Sequence, residues 1–142
     1  MIDIENIVFD GVSKMLKAKF KLGATAVRST HLNTPPCFPC VMLYESSNTT
    51  LTDTFDEKGE HHANVRFTVE IYTNDASGKK QKAKDIAAAI DEHMIGLGFY
   101  RSSKHYTYNT NESTIFVVTC SYRCVAGESY GGAANETMIY RR

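Results

Sequence analysis

The sequence predicts an α+β domain in which an antiparallel sheet of about four to five strands carries two helices on one face. Two amphipathic helix patterns alternate with strand patterns in the order helix, strands, helix, two strands. One strand pattern alternates strictly between apolar and polar residues, as in a sheet covered on one side. The 142 residues, 42% of them apolar, suffice for one core. We expect one domain over residues 1–126 and an extended tail over 127–142.

The first element is a predicted helix over residues 3–22. Its apolar residues recur at helical spacing, Asp3 can cap the start, and Gly23 supplies a stop signal. A short strand follows over 24–28. Three prolines make residues 33–39 irregular, and residues 40–46 resume as a strand.

A polar stretch over residues 47–63 is predicted to be a long hairpin or an excursion from the sheet. Its second half is acidic, with Asp53, Asp56, Glu57 and Glu60. Loops of this length in compact domains are usually functional or mobile. The neighbouring pair His61 and His62 is interpreted as two solvated loop histidines.

The clearest strand covers residues 64–73, where four apolar side chains share one face. The clearest helix starts at Ser77 and ends at the glycines 96 and 98, with an apolar stripe formed by Ala83, Ile86, Ala87, Ile90, Met94 and Leu97. Residues 99–108 and 114–125 are predicted strands. The tail that follows is rich in glycine and lacks periodicity.

Four cysteines raise the question of a metal or redox site. Cys37 and Cys40 form a CxxC motif, which can be a redox pair or half of a zinc site. The motif opens a predicted strand, whereas a redox CxxC is expected to open a helix. Cys120 and Cys124 would lie about 13 Å apart on a strand, too far to complete a tetrahedral site. We therefore interpret all four as free thiols, with a zinc or thiol-redox module as the alternative.

The charges balance, because 16 Lys and Arg oppose 16 Asp and Glu. This balance gives no bulk attraction to nucleic acid or to an anionic membrane. We find no Ser-His-Asp constellation, phosphate-binding loop or other catalytic motif, and expect neither an enzyme nor a cofactor. No leader or membrane span is evident, which favours synthesis in the cytoplasm.

Four lysines crowd the first two turns of the second helix: Lys79, Lys80, Lys82 and Lys84. A solvated helix face is the simpler interpretation. The functional interpretation is that these lysines meet acidic groups of another subunit, for which the acidic patch is a complementary surface. The other interface candidates lie in the tail: Tyr130, Arg141 and Arg142.

Several segments, in this order and spacing, resemble a family of small bacteriophage tail-completion proteins that includes minor capsid and tail terminator proteins. They cover roughly residues 3–126: FPCV at 38–41, Glu45, HANV at 62–65, VEIYTND at 69–75, SGKKQKAKDI at 77–86 and LGFYR at 97–101. The second cysteine of the CxxC motif and the tail match no family motif. The resemblance implies a structural virion protein with an antiparallel sheet backed by helices.

The resemblance further implies a ring, commonly hexameric, that ends the phage tail tube and joins it to the head or neck. The implied partners are other copies of the chain, the tail tube protein and a head-completion or neck protein, while genomic DNA passes the channel without specific binding. The implied location is the tail or neck of the virion, after synthesis in the host cytoplasm. A head-completion or tube protein of the same assembly is the alternative within this class.

Overall fold

The computed structural model describes residues 1–54, 61–108, 114–128 and 137–140. Its helices and strands are α1 (Glu5–Phe20), β1 (Val27–Arg28), β2 (Cys40–Thr50), β3 (His62–Thr73), α2 (Lys79–Leu97), β4 (Tyr100–Tyr108), β5 (Phe116–Glu128) and β6 (Thr137–Tyr140). A single 3-10 turn covers Thr52–Thr54. None of the helices in these ranges is long and apolar enough to cross a membrane.

The strands form one sheet in the order β1-β2-β3-β5-β4. β6 continues the β4 side of the sheet, because β4 pairs with the first part of β5 and β6 pairs with Val125–Glu128. All pairs are antiparallel except the short contact of β1 with β2, which is parallel. The predicted α+β class is confirmed, with this one parallel pair as a correction.

The core lies between the sheet and the two helices. On β3, Val65, Phe67, Val69 and Ile71 are buried, and their register partners Cys124, Tyr122, Cys120 and Val118 on β5 are buried with them. The helical stripe predicted for α2 packs against these strands, joined by the buried residues Val8, Val12 and Leu16 of α1. Phe67 meets Phe99 edge to face at 5.5 Å between ring centroids.

The helix ends follow local hydrogen bonding. The predicted N-cap at Asp3 is wrong, because Ile4 occupies the N-cap position and has no side-chain cap. Asp3 lies one residue earlier, and its Oδ1 atom accepts a bond from the Glu5 backbone N–H. The predicted stop at Gly23 is wrong, because α1 ends at Phe20 and Lys21 takes the left-handed conformation with φ of 55°. At the end of α2, Gly98 takes this conformation, and its N–H bonds to the Ile95 carbonyl.

The predicted excursion over 47–63 is too long. β2 continues to Thr50 after a bulge between Glu45 and Ser47, and β3 already begins at His62. The polar side chains of residues 47–50 are compatible with a strand because one face of the sheet is polar. Asn48 also donates a hydrogen bond to the Ile2 carbonyl. The connection between the strands therefore covers residues 51–61, and His61 is buried instead of solvated. The last predicted strand also continues further than expected, because β5 ends at Glu128, beyond the predicted domain boundary at residue 126.

Candidate assembly surface

The four lysines of α2 do not form one patch. Lys79 donates to the Thr114 carbonyl at 3.2 Å, and Lys82 pairs with Asp75 at 3.2 Å. Lys80 and Lys84 are separated by one helical turn and share a different side of α2. Lys79 and Lys82 thus have polar partners within the chain, whereas Lys80 and Lys84 face the edge strand β4.

A basic groove lies between this side of α2 and β4. The Lys80 ammonium lies 5.6 Å from the centre of the Tyr106 ring, and the Lys104 ammonium lies 5.0 Å from it. A hydrogen bond from Lys104 lowers the pKa of the Tyr106 hydroxyl, and Lys84 and Lys80 act in the same direction. Tyr106 is 42% exposed, so the groove presents an aromatic ring among three ammonium groups at an edge strand.

The groove continues along α2 as a cleft of about 440 Å³. Asp91 anchors its wall, since Oδ1 accepts bonds from Arg101 Nη1 at 3.0 Å and from the Tyr122 hydroxyl at 2.9 Å. The floor includes apolar atoms of Ala87 and Cys120. In the described part of the sheet, β4 is an edge strand. An apolar floor with a charged rim beside an edge strand is suited to contact with another protein.

Asp53, the one acidic candidate among the described residues, follows β2 near the start of β3. Asp53 is exposed in the 3-10 turn that follows β2, whereas Asp56, Glu57 and Glu60 fall outside the described residues. The Leu51 N–H bonds to the His62 carbonyl at the start of β3, and the Thr73 hydroxyl at its end bonds to the Lys79 carbonyl. Twelve extended residues separate these ends by about 35 Å. Asp53 therefore cannot pair with the lysines at the start of α2 in its own chain.

The tail candidates Tyr130, Arg141 and Arg142 also lie outside the described residues. Thr137–Tyr140 pairs with the end of β5. This pairing brings part of the predicted tail alongside the sheet at the end where the acidic turn lies.

The CxxC motif lies at the start of β2. Cys40 is fully buried, and burial, with Cys37 nearby, raises the pKa of its thiol to about 11 against an opposing effect of Arg28. A thiol-redox nucleophile needs the reverse, a lowered pKa that favours thiolate. Cys37 is half-buried and lies 3.8 Å from the Thr25 hydroxyl. In the described part of the chain, no three His, Cys, Asp or Glu side chains are grouped so as to hold a metal ion.

A buried carboxylate that the sequence analysis did not single out lies on the other sheet face. Glu70 is 9% exposed, and it accepts hydrogen bonds from the hydroxyls of Tyr44 and Tyr72, both at 2.7 Å. The Nδ1 atom of His31 lies 2.8 Å from the Oε2 atom of Glu70. Burial alone would raise the pKa of Glu70, but these three partners outweigh burial and lower it.

This cluster attaches the irregular segment before β2 to the sheet. His31 also contacts Asn33 at 3.3 Å, and the Leu32 N–H points to the sulfur of Met42 at 3.3 Å. Tyr44, Glu70 and Tyr72 occupy alternate strand positions on one sheet face, a pattern visible in the sequence. The contact of His31 with Glu70 could not be predicted from the sequence, because His31 lies in an irregular segment without periodicity.

Comparison with models of known protein families found no match, and comparison with curated protein sequences also found none. Comparison with solved structures found a chain of the virion of a native gene transfer agent particle, with a TM-score of 0.55 and 20% sequence identity. The match covers 80% of this chain and 90% of that chain. At this identity the likeness shows a shared fold.

Proposed function

We propose that this chain is a structural protein of a phage-like virion, and specifically a tail terminator. In this role it forms a closed ring that caps the tail tube and joins it to the head or neck. The observation that carries the proposal is the separation of the acidic turn at Asp53 from the lysines at the start of α2, which lie towards opposite ends of β3 in one sheet. The shared fold with a gene transfer agent virion chain and the resemblance in sequence support the same assignment.

A ring needs two different, complementary surfaces on each subunit. The basic groove extends from Lys80, beside Tyr106 near one end of β3, to Lys104, which is in register with Val69 nearer the middle. The acidic turn at Asp53 begins at the other end of β3. Because about 35 Å separates the ends of β3, each group is left for a neighbouring molecule. Charge matching of this kind sets register and specificity more than affinity.

The remaining interface candidates extend the acidic end of the subunit. Asp56, Glu57 and Glu60 follow Asp53 along the chain, and the tail with Tyr130, Arg141 and Arg142 leaves β5 at the same end. In the ring, the loop and the tail contact neighbouring subunits, the tail tube protein or a neck protein. Acidic groups that face the channel would keep passing genomic DNA from binding.

The oligomeric state of charge-reversed variants tests the ring. The double variant Lys80→Glu with Lys84→Glu should weaken self-association at least tenfold, measured by sedimentation velocity over a range of concentrations. High salt should weaken the wild-type ring in the same way. The matched control is Lys14→Glu with Lys17→Glu, which makes the same charge change at exposed positions of α1 and should leave association unchanged.

A charge swap sharpens this test. Adding Asp53→Lys and Asp56→Lys to the double variant should restore association. Every interface of a head-to-tail ring pairs the α2 lysine positions of one subunit with the acidic positions of the next, so the swap makes the charges opposite again. Equal association of wild type and the Lys80 and Lys84 variant, with both folded by circular dichroism, would contradict the proposed contact.

A head-completion or tube protein of the same assembly is the alternative within this class. A terminator forms one ring that stops at a fixed stoichiometry, whereas a tube protein stacks its rings into longer assemblies. Negative-stain images of the purified protein separate the two. Stoichiometric zinc by elemental analysis would instead favour the module built on Cys37 and Cys40.

A further inference from the structure

A polar cleft of about 250 Å³ lies on the sheet face opposite the helices. Phe67 and Tyr122 are register partners that point into the core. Because side chains alternate along strands, their neighbours Arg66 and Arg123, which also pair, point to the opposite face. The row continues to both sides with Ser47 on β2 and Tyr100 on β4.

The two arginines have no acidic partner among the residues that the structure describes. Directly opposite residues of an antiparallel pair have Cβ atoms about 5 Å apart, and like charges at this spacing destabilise the sheet. Arginine side chains as a class carry a fixed positive charge and a planar array of donors. Within the described ranges, no Asp or Glu forms an ion pair with Arg66 or Arg123. An anion between them would remove the repulsion and use their planar donors.

Both flanking strands are irregular beside this row. β2 has its bulge between Glu45 and Ser47, and β4 has a bulge between Arg101 and Ser103. Bulges re-aim side chains and are frequent next to functional sites. Here they bring Ser47 and Tyr100 into register with the two arginines, and Tyr100 is 37% exposed. The cleft therefore combines two fixed cations with hydroxyl groups on both sides.

We propose that this cleft binds a carboxylate carried by an acidic segment of a partner protein. Two guanidinium groups suit one or two carboxylates with bidentate geometry. A nucleic acid would need a longer basic track for successive phosphates, but the next pairs on this face are Thr68 with Ser121 and Glu70 with Thr119. The inference does not depend on the ring, which uses the other sheet face and the two ends of β3.

Fluorescence anisotropy with three probes at low ionic strength tests the proposal. They are a blocked hexapeptide of alternating aspartate and glutamate, its amide counterpart of asparagine and glutamine, and a short oligothymidylate. The acidic peptide should bind best to the wild type. The variants Arg66→Gln and Arg123→Gln should each weaken its binding about tenfold or more, while the control Lys14→Gln should leave it unchanged.

Thermal unfolding of the same variants separates a binding role from a structural role. Neither arginine variant should be less stable than the wild type, because each removes a like-charge pair, and the acidic peptide should raise the melting temperature of the wild type only. Stronger binding of the oligothymidylate, or equal binding of the amide peptide, would overturn the proposal.

The chain's own acidic loop is a competing occupant. If it filled the cleft, the triple variant Asp56→Asn, Glu57→Gln and Glu60→Gln would bind the acidic peptide at least tenfold more tightly than the wild type, and this result would overturn the proposal. Unchanged binding in the triple variant supports an external partner.

Discussion

Glu70 is the residue whose surroundings are most specific. Two phenol hydroxyls and an imidazole meet a carboxylate that is almost completely buried. A buried charge is tolerated only where hydrogen bonds replace its hydration. Burial and the bond to Glu70 likewise raise the pKa of Tyr44 to about 12. Glu70 and Tyr44 therefore keep one protonation state near neutral pH, and the cluster attaches the segment around His31 to the sheet.

Replacing Glu70 with glutamine should lower the free energy of unfolding at pH 7 by roughly 1–3 kcal/mol, because one tyrosine hydroxyl loses its acceptor. The lowered pKa of Glu70 stabilises the fold above its ordinary pKa of about 4.3, and this contribution is lost as the pH falls through the folded-state pKa. The difference between wild type and Glu70→Gln should therefore shrink on acidification, as measured by urea unfolding.

The exposed Glu92→Gln is the control and should change stability little at either pH. Burial raises the pKa of Glu45, so the contribution of Glu45 to stability changes with pH in the opposite direction to that of Glu70. Glu45 is present in the wild type and in both variants, so its contribution cancels when their free energies of unfolding are compared. A gap between wild type and Glu70→Gln that is constant with pH would contradict the assigned role.

The cysteines should differ in reactivity towards a thiol reagent at mildly alkaline pH. Cys40, Cys120 and Cys124 are buried, and burial raises the pKa of each, for Cys40 to about 11 and for Cys124 to about 12. Cys37 is half-buried. We expect one fast thiol in the folded protein and four in denaturant. The variant Cys37→Ser should lose the fast thiol, and rapid modification of Cys40 in the folded chain would contradict this account.

At the scale of elements, the two helices meet at a glycine. A Cβ atom on Gly11 of α1 would lie 3.1 Å from the Nε2 atom of His93 on α2, closer than normal packing. Alanine is favoured over glycine within a helix by about 1 kcal/mol. The close contact opposes this gain, so an alanine at position 11 should stabilise the fold less than at an open helix position.

A double-mutant cycle tests this packing. Gly11→Ala should give little or no gain in the wild type, but should stabilise the His93→Ala variant by about 1 kcal/mol. Urea unfolding measures both. Gly96→Ala is the matched control, because nothing lies within 4 Å of its Cβ position. Additive effects of the Gly11 and His93 substitutions would show that the helices do not meet in this way.

Elements with strong periodicity could be predicted from the sequence. The apolar stripe of α2 and the alternation in β3 appear as expected, because their burial repeats with the period of the element. The polar end of β2 was missed, since strand pairing overrode its polar composition. The pairing of β1 with β2 was also missed, because a two-residue strand carries no period.

The sequence identifies the candidate interface residues, but it does not show which of them lie together on one surface. The sequence places four lysines on α2, but only the folded helix shows that Lys82 turns to Asp75 while Lys80 meets Tyr106. The row of Arg66 and Arg123 depends on register between distant strands, which a single sequence does not reveal.

For the whole molecule, a net charge of zero results from separate basic and acidic regions. A neutral total removes long-range repulsion between copies and favours association, while the separated regions give the association a direction. A head-to-tail contact between such regions generates a ring if its rotation closes, and an open filament if it does not. Closure is therefore the property on which the proposed function depends.

Native mass spectrometry of the purified wild-type protein, with negative-stain images of the same sample, tests closure most directly. The account predicts one dominant closed ring, expected to be a hexamer, that dissociates at high salt and in the Lys80→Glu, Lys84→Glu variant. A monomer or a twofold dimer over the whole accessible concentration range would contradict it.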